Sequence, residues 1–485
     1  MPGANMTVLS RGDVEKVHET SLQMLSEAGF RIDSPTVLNF LKQAGVKVDE
    51  TRQLIFLTER QVDNALRSAP RKIKICSRSG KDYVIPQAGL QLIATDGQPP
   101  AIFEVRTGKK RLSKLKDVIN LAILADALPE VDFIWPPVVA TDVPTDKSSY
   151  YEFLVSIAHS SKHIQHAAAN VDEANFQLDI GAAILGSRDD LRRRPIFSDV
   201  CTPISPLRYD QGEVEGMVVL ARAGIPIVQL SMGIAGSVTP VSVAGTLAVI
   251  NAENLCGLTI TQMANPGAPS IYSSFSGVTD LKSGVFLCGT PEGILMDVAA
   301  IEMARHYSLP SCAGGPANAS RTLSAEAGYQ NAMTFMASVL GGSDMMVGLG
   351  GLDRSGMVSY EKLVMDCELW RWLKRLRDGI TVDEASLGLD AVKRQGPGGT
   401  FLSDPHTLKF MRNDLMIPQV TSYHAQGQPD YSKDDLIEHA KRRVKEILKT
   451  HKPPLLDKET AERVGEVAKK YGILGASGKQ VFPHA

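Results

Sequence analysis

The chain has 485 residues, a net charge of −2, 43% apolar residues and 22% charged residues, an ordinary globular profile; it has no long basic run, which argues against a nucleic-acid partner held by phosphate contacts. No stretch approaches about 18 uninterrupted apolar residues, so no membrane span is expected, and the start MPGANMTVLSRGDVEK lacks the apolar core of a secretory signal. The six cysteines are scattered without a CxxC, which fits reduced thiols and a cytoplasmic location better than a disulfide framework.

In chain order, residues 1–85 read as a helical cap. Ser10 and Asp13 form a capping-box-like start, Val14, Val17, Met24 and Leu25 share a helical face, and Gly29 suits the stop. A second helix starts at Ser34-Pro35 and ends at Gly45. Val46–Val48 and Leu54–Leu57 can pair as a hairpin, after which Thr58 caps a third helix.

Eight β-like runs follow, each succeeded by a helix-like stretch: Leu90–Asp96, Phe133–Val139, His163–Asn170, Pro195–Thr202, Pro226–Met232, Ala268–Phe275, Pro310–Gly315 and Met345–Gly351. Their starts lie roughly 30 to 43 residues apart, which suits one strand–helix unit each. Eight units predict an α/β fold, a (β/α)₈ TIM barrel over residues 86–395, with its site at the C-terminal strand ends. Gly396-Pro-Gly-Gly399 marks a boundary, and residues 396–485 read as a helical extension with helices near Lys433–Thr450 and Asp457–Lys470 on the barrel's outside. The tail GASGKQVFPHA is expected to be loose or to pack on a second subunit, in keeping with a homo-oligomer.

The predicted strand ends carry Asp96, Gln98, Trp135, His166, Cys201, Met232, Tyr272, Phe275, the pairs Gly314-Gly315 and Gly350-Gly351, and few titratable groups. His163 and His166 point to opposite strand faces and cannot share an ion. His166, Cys201 and Cys312 form a conceivable zinc set, but buried cysteines filling a barrel layer are the commoner reading, and no metal is expected. Gly348-Leu349-Gly350-Gly351 is not a nucleotide loop and no GxxxxGK[ST] occurs. The glycine pairs leave room for a bulky reactant. Arg208 and Arg321 are candidates for a carboxylate, against a plain surface role. Tyr150, Tyr209, Tyr272, Phe275 and Tyr329 are candidates for a cation cage, against core packing.

Several long stretches resemble the trimethylamine methyltransferase family of corrinoid-dependent enzymes: SRGDVEKVHETSLQMLSEAGFRID at the start, PISPLRYD at 203–210, SSFSGVTDLKSGVFLCGTPEG at 273–293, LSAEAGYQNAMTFMASVLGGSDMM at 323–346, GGLDRSGMVSYEKLVMDCE at 350–368 and FLSDPHTLKFMRNDLMIPQV at 401–420. The resemblance implies a (β/α)₈ barrel, a corrinoid cofactor carried by a partner protein, and methyl transfer from an amine. The founding activity uses pyrrolysine near the seventh strand end; here Cys312 to Ser320 are ordinary residues, and members without pyrrolysine are similar to glycine betaine methyltransferases. A quaternary ammonium leaves as a neutral amine and needs no general acid, which suits the scarcity of titratable pairs. The expectation is therefore a quaternary amine methyltransferase, with glycine betaine or a similar betaine as donor. Its ammonium is expected against Tyr272, Phe275 or Tyr329, its carboxylate at His166, Arg208 or Arg321, and the corrinoid facing Gly314, Gly315, Gly350 and Gly351. No DxHxxG-like segment places a corrinoid on this chain. The alternatives are a zinc-dependent methyltransferase acting on another donor and a non-catalytic betaine-binding module.

Overall fold

The computed structural model describes residues 5–421 and 435–473. Eight parallel strands among them close into a barrel in chain order: β1 (Leu92–Thr95), β2 (Phe133–Ile134), β3 (His163–His166), β4 (Phe197–Cys201), β5 (Ile227–Ser231), β6 (Ser270–Ser274), β7 (Ser311–Gly314) and β8 (Met345–Leu349). β8 returns to pair with β1, which pairs in turn with β2. Every strand lies inside one of the eight predicted runs. The strands are shorter than those runs where the backbone loses donors: after Ile134, Pro136 and Pro137 have no N–H to offer.

Each strand is followed by a barrel helix: α1 (Leu115–Ala127), α2 (Ser148–Ala158), α3 (Val171–Leu185), α4 (Gln211–Ala223), α5 (Val243–Ala264), α6 (Pro291–His306), α7 (Ala325–Gly341) and α8 (Tyr360–Asp378). Five carry a side-chain N-cap: Asn170, Asp210, Thr290, Ser324 and Ser359. Each such cap satisfies a backbone donor at the C-terminal face of the barrel and contributes about 1 kcal/mol. Helix α5 has the length and apolarity to cross a bilayer, but it is packed as a core helix against α4, α6, β5 and two N-terminal helices.

Strand alternation sorts side chains into two cores. Inward positions, Leu92, Ala94, Phe133, Val200, Val228, Leu230, Ile271, Cys312, Met345 and Val347, fill the lumen. Ile73, Ile75 and Ile85 join them from a hairpin, Ile73–Ile75 with Tyr83–Ile85, that closes the N-terminal end of the barrel. Outward positions such as Ile134, Ile164, Phe197, Ile227 and Tyr272 pack under the helices.

The N-terminal segment contains the anticipated capping box at Ser10/Asp13, the Ser34 and Thr58 caps, the latter completed to a box by Gln61, and a hairpin of Lys47–Asp49 with Leu54–Phe56. Its strand Phe30–Ile32 pairs with Arg208–Tyr209, in the loop after β4, so this segment is hydrogen-bonded to the barrel. At the other end, helix Asp435–Thr450 packs on α8 and α1, and helix Lys458–Lys470 on α3, both outside the barrel. The predicted start of the first of these at Lys433, and the tail from residue 475, lie outside the described residues.

Two small sheets rise from the strand ends. One joins the loops after β1 and β8 (Ala101–Glu104, Lys109–Leu112, Gly351–Leu352, Met357–Val358); the other joins the loops after β5 and β6 (Ile234–Ala235, Gly277–Thr279, Phe286–Leu287). By their places in the ring they stand on different sides of the mouth.

Candidate active site

The uppermost inward layer of the lumen is half-buried: Trp135 after β2, Ala167 after β3, Met232 after β5 and Phe275 after β6, all packed on the lumen core. Gln165, inward on β3 by alternation, is buried, and its side-chain oxygen has no hydrogen-bond partner. Strands β2 and β6 are four places apart in a ring of eight, so Trp135 and Phe275 face each other across the lumen. Trp135, Gln165, Ala167, Met232 and Phe275 carry no titratable group, whereas Asp96, the next inward position after Ala94 on β1, is a buried carboxyl whose Oδ2 has no partner and which burial pushes up to about 6.

Both aromatic rings rest on a glycine. A Cβ on Gly97 would come within 2.3 to 2.6 Å of three atoms of the Trp135 indole, so the ring lies across that backbone. A Cβ on Gly314 would lie 2.9 Å from the Phe275 ring. The backbone of Trp135 is pinned from β1: its N–H donates to the Thr95 hydroxyl at 3.1 Å, and that hydroxyl donates to its carbonyl at 2.5 Å.

Of the six side chains predicted to hold substrate, the structure brings Phe275 to the lumen. His166 points outward, edge-on to Phe153, with Nδ1 3.1 Å from the Gln177 amide; complete burial lowers its pKa and keeps it neutral. Tyr272 also faces the helices and donates its hydroxyl to Asn251 Oδ1 at 3.0 Å. Arg208 forms an ion pair with Asp33 of the N-terminal segment, 2.6 Å from Nη2 to Oδ2. Arg321 is exposed near Asp353, and Tyr329 is exposed on α7. Cys312 faces the lumen while His166 and Cys201 face the helices, so this trio does not converge, and no group of three or more potential ligands gathers among the described residues. Gly314, Gly315, Gly350 and Gly351 are all buried, and the space beside each is taken by protein: Phe275, the Val347 carbonyl, Leu363 and Asp96 respectively.

Behind the strand ends, buried carboxyl groups pin the mouth loops by accepting backbone N–H groups. Asp199 holds Ala168 at 2.9 Å, Glu173 holds Ala169 at 3.0 Å, Glu213 holds Thr202, and Glu253 holds Leu207 at 2.9 Å together with the hydroxyls of Ser205 and Ser231. Burial pushes the Asp199 carboxyl up to about 7. A folded pKa above the unfolded one means the folded state binds the extra proton, so this group's contribution is retained below about pH 4 and lost as pH rises towards 7. Asp199→Asn keeps the acceptor for Ala168 but cannot ionise. Relative to wild type, its stability is expected to rise between pH 5 and pH 8, by at most about 4 kcal/mol, read as a widening gap in melting temperature; parallel pH profiles of the two proteins would contradict this.

The half-buried aromatic residues thus lie at the C-terminal strand ends, where barrel enzymes carry their sites. Residues 2–472 match the family model described as trimethylamine methyltransferase (MTTB). The chain belongs to the trimethylamine methyltransferase family. It is 31% identical over 477 residues to glycine betaine methyltransferase of Desulfitobacterium hafniense (strain Y51), covering 98% of each chain. It is 27% identical over 475 residues to trimethylamine methyltransferase MttB of Desulfitobacterium hafniense (strain DSM 10664 / DCB-2), covering 97% of this chain and 96% of that one. The crystal structure of the Methanosarcina barkeri monomethylamine methyltransferase (MtmB) shares the fold, with a TM-score of 0.54 at 13% identity over 97% of this chain and 89% of that chain.

The sequence placed Trp135 at the strand ends but did not mark it among the residues expected to hold substrate. Its signal was alternation from Phe133, which places Trp135 on the same inward face, next to a glycine that follows β1.

Proposed function

We propose that this protein transfers a methyl group from a quaternary amine, glycine betaine or a similar betaine, to the Co(I) corrinoid of a separate protein that docks over the barrel mouth. The observation that carries this reading is the aromatic pair on the lumen wall, Trp135 after β2 and Phe275 after β6, with Met232 beside them. A quaternary ammonium cannot donate a hydrogen bond. It is held by ring faces and apolar contact, and a desolvated cation over an aromatic face gains about 2 kcal/mol.

The same wall fits the chemistry. The reduced corrinoid supplies the nucleophile that takes the methyl group; the C–N bond breaks and its electron pair stays on nitrogen. The departing tertiary amine is neutral, so the protein need not deliver a proton. What remains for the chain is positioning and exclusion of water. Trp135 and Phe275 fix the ammonium, Met232 and Ala167 keep its surroundings dry, and the amide of Gln165 meets the substrate's polar tail deeper in the lumen. The corrinoid partner would reach the substrate from the C-terminal face of the barrel, where the two rim sheets stand. A tertiary amine, by contrast, is a poor leaving group unless its nitrogen gains charge.

The test is a substrate panel with free cob(I)alamin, followed by the absorbance change to methylcobalamin. Turnover is expected with glycine betaine or a related quaternary amine and absent with trimethylamine. Turnover with trimethylamine alone would overturn the reading, and tight betaine binding without turnover would favour a binding module.

A further inference from the structure

Trp135 is held by a chain of hydrogen bonds that no lumen residue needs for its own packing. Its indole Nε1–H donates to Gln98 Oε1 at 3.3 Å. Gln98 Nε2 donates to Glu152 Oε2 at 2.8 Å. Glu152, 1% exposed on α2, accepts at Oε1 from the Ala140 N–H at 3.0 Å and from the Ser148 hydroxyl at 2.6 Å. Gln98 is itself fixed in place: its φ is 57°, in the left-handed region, and its N–H donates to the Pro136 carbonyl at 2.9 Å, one residue beyond Trp135.

The chain has a direction. A carboxylate can only accept, so the amide nitrogen of Gln98 must face Glu152. Its carbonyl oxygen must then face Trp135, where the indole can only donate. The charge at Glu152 therefore sets the orientation of an amide, and the amide sets the rotamer of an aromatic ring. Leaving such a buried carboxylate without a donor is costly, which is what makes the arrangement rigid.

We infer that Glu152 and Gln98 are positioning residues, which hold the Trp135 face towards the lumen and thereby set affinity for the substrate's ammonium group. This rests on the reading above that the ammonium sits against Trp135.

The reversal of donors provides the test. In Glu152→Gln, the new side chain keeps Oε1 for Ala140 and Ser148 and turns an NH₂ towards Gln98. Gln98 then flips its carbonyl to meet it, and its own NH₂ opposes the indole N–H. Two donors cannot share that gap, so the ring turns away. In the double variant Gln98→Glu with Glu152→Gln, the carboxylate at position 98 accepts from both the indole and the new amide, and the chain is restored with its charge moved one place.

Near-UV circular dichroism and indole fluorescence report on the ring, with Trp135→Phe as the reference that isolates its signal from the other two tryptophans. Glu152→Gln is expected to change the Trp135 signal and to raise KM for glycine betaine about tenfold with little change in kcat; the double variant is expected to recover both. An unchanged Trp135 signal in Glu152→Gln, or a double variant as displaced as the single one, overturns the inference. A ring that moves and returns while KM stays constant supports the relay and overturns the placement of the ammonium at Trp135.

Discussion

Replacing Trp135 by leucine is expected to raise the KM for glycine betaine about 30-fold while leaving the protein folded, because it removes an attraction of about 2 kcal/mol. Leucine keeps an apolar side chain on the lumen core, so the layer beneath remains covered. What disappears is the negative ring face, which leucine cannot replace. Phe275→Leu should act in the same direction and more weakly, since an indole attracts a cation better than a phenyl ring. Tyr272→Phe supplies the contrast. Its hydroxyl bonds Asn251 beneath the helices, so its loss is expected to lower the melting temperature by the equivalent of about 1 kcal/mol and to leave KM unchanged. The comparison is made by steady-state transfer to cob(I)alamin over a range of betaine concentrations. If Trp135→Leu and Phe275→Leu both keep the wild-type KM, the ammonium does not sit between these rings.

The contrast between Tyr272 and Phe275 also shows what could be read from the sequence and what could not. The eight strands were legible mainly from their spacing at the length of one strand–helix unit, since most but not all are β-branched or apolar runs: β3 reads His-Ile-Gln-His and β7 Ser-Cys-Ala-Gly. Which face a residue occupies depends on strand parity, and parity is fixed only when one inward residue of each strand is known. On β3, His163 is inward and bonds Ser198 on the neighbouring β4, so His166 must be outward. On β6, Ile271 is inward, so Tyr272 is outward and Phe275 inward. Being at the end of a strand was therefore insufficient to nominate His166 or Tyr272. On β8 parity itself breaks: the register shifts between Met346 and Leu349, where Gly348 has φ of 129°, and Leu349 joins the outer core. The partner of Arg208 was beyond reach for another reason. Asp33 lies 175 residues earlier, and only the parallel pairing of Phe30–Ile32 with Arg208–Tyr209 brings them together. The glycine pairs at the strand ends were legible as spaces, but their occupants were not, since Asp96 and Leu363 come from separate elements.

Gly97 carries the most economical test of the aromatic wall. Its φ is not in the left-handed region, so Gly97→Ala adds a methyl group without straining the backbone. That methyl would sit 2.3 to 2.6 Å from Cδ2, Cε2 and Cε3 of Trp135, closer than any real contact allows. The indole is rigid, and its backbone is held to Thr95 on both sides of the peptide unit. The ring must therefore swing about χ1, breaking its bond to Gln98 and turning its face from the lumen. The expected result is a fall in kcat/KM of about 100-fold, from the lost cation contact and a ring intruding on the methyl group's path. Overpacking is expected to reduce stability by about 1–3 kcal/mol. A double-mutant cycle separates this mechanism from a general disturbance of the mouth. With Trp135 already leucine, a smaller and flexible side chain can step around the new methyl, so adding Gly97→Ala should cost little further activity. If Gly97→Ala lowers kcat/KM as much in the Trp135→Leu protein as in wild type, the glycine serves the site by some route other than the indole it supports.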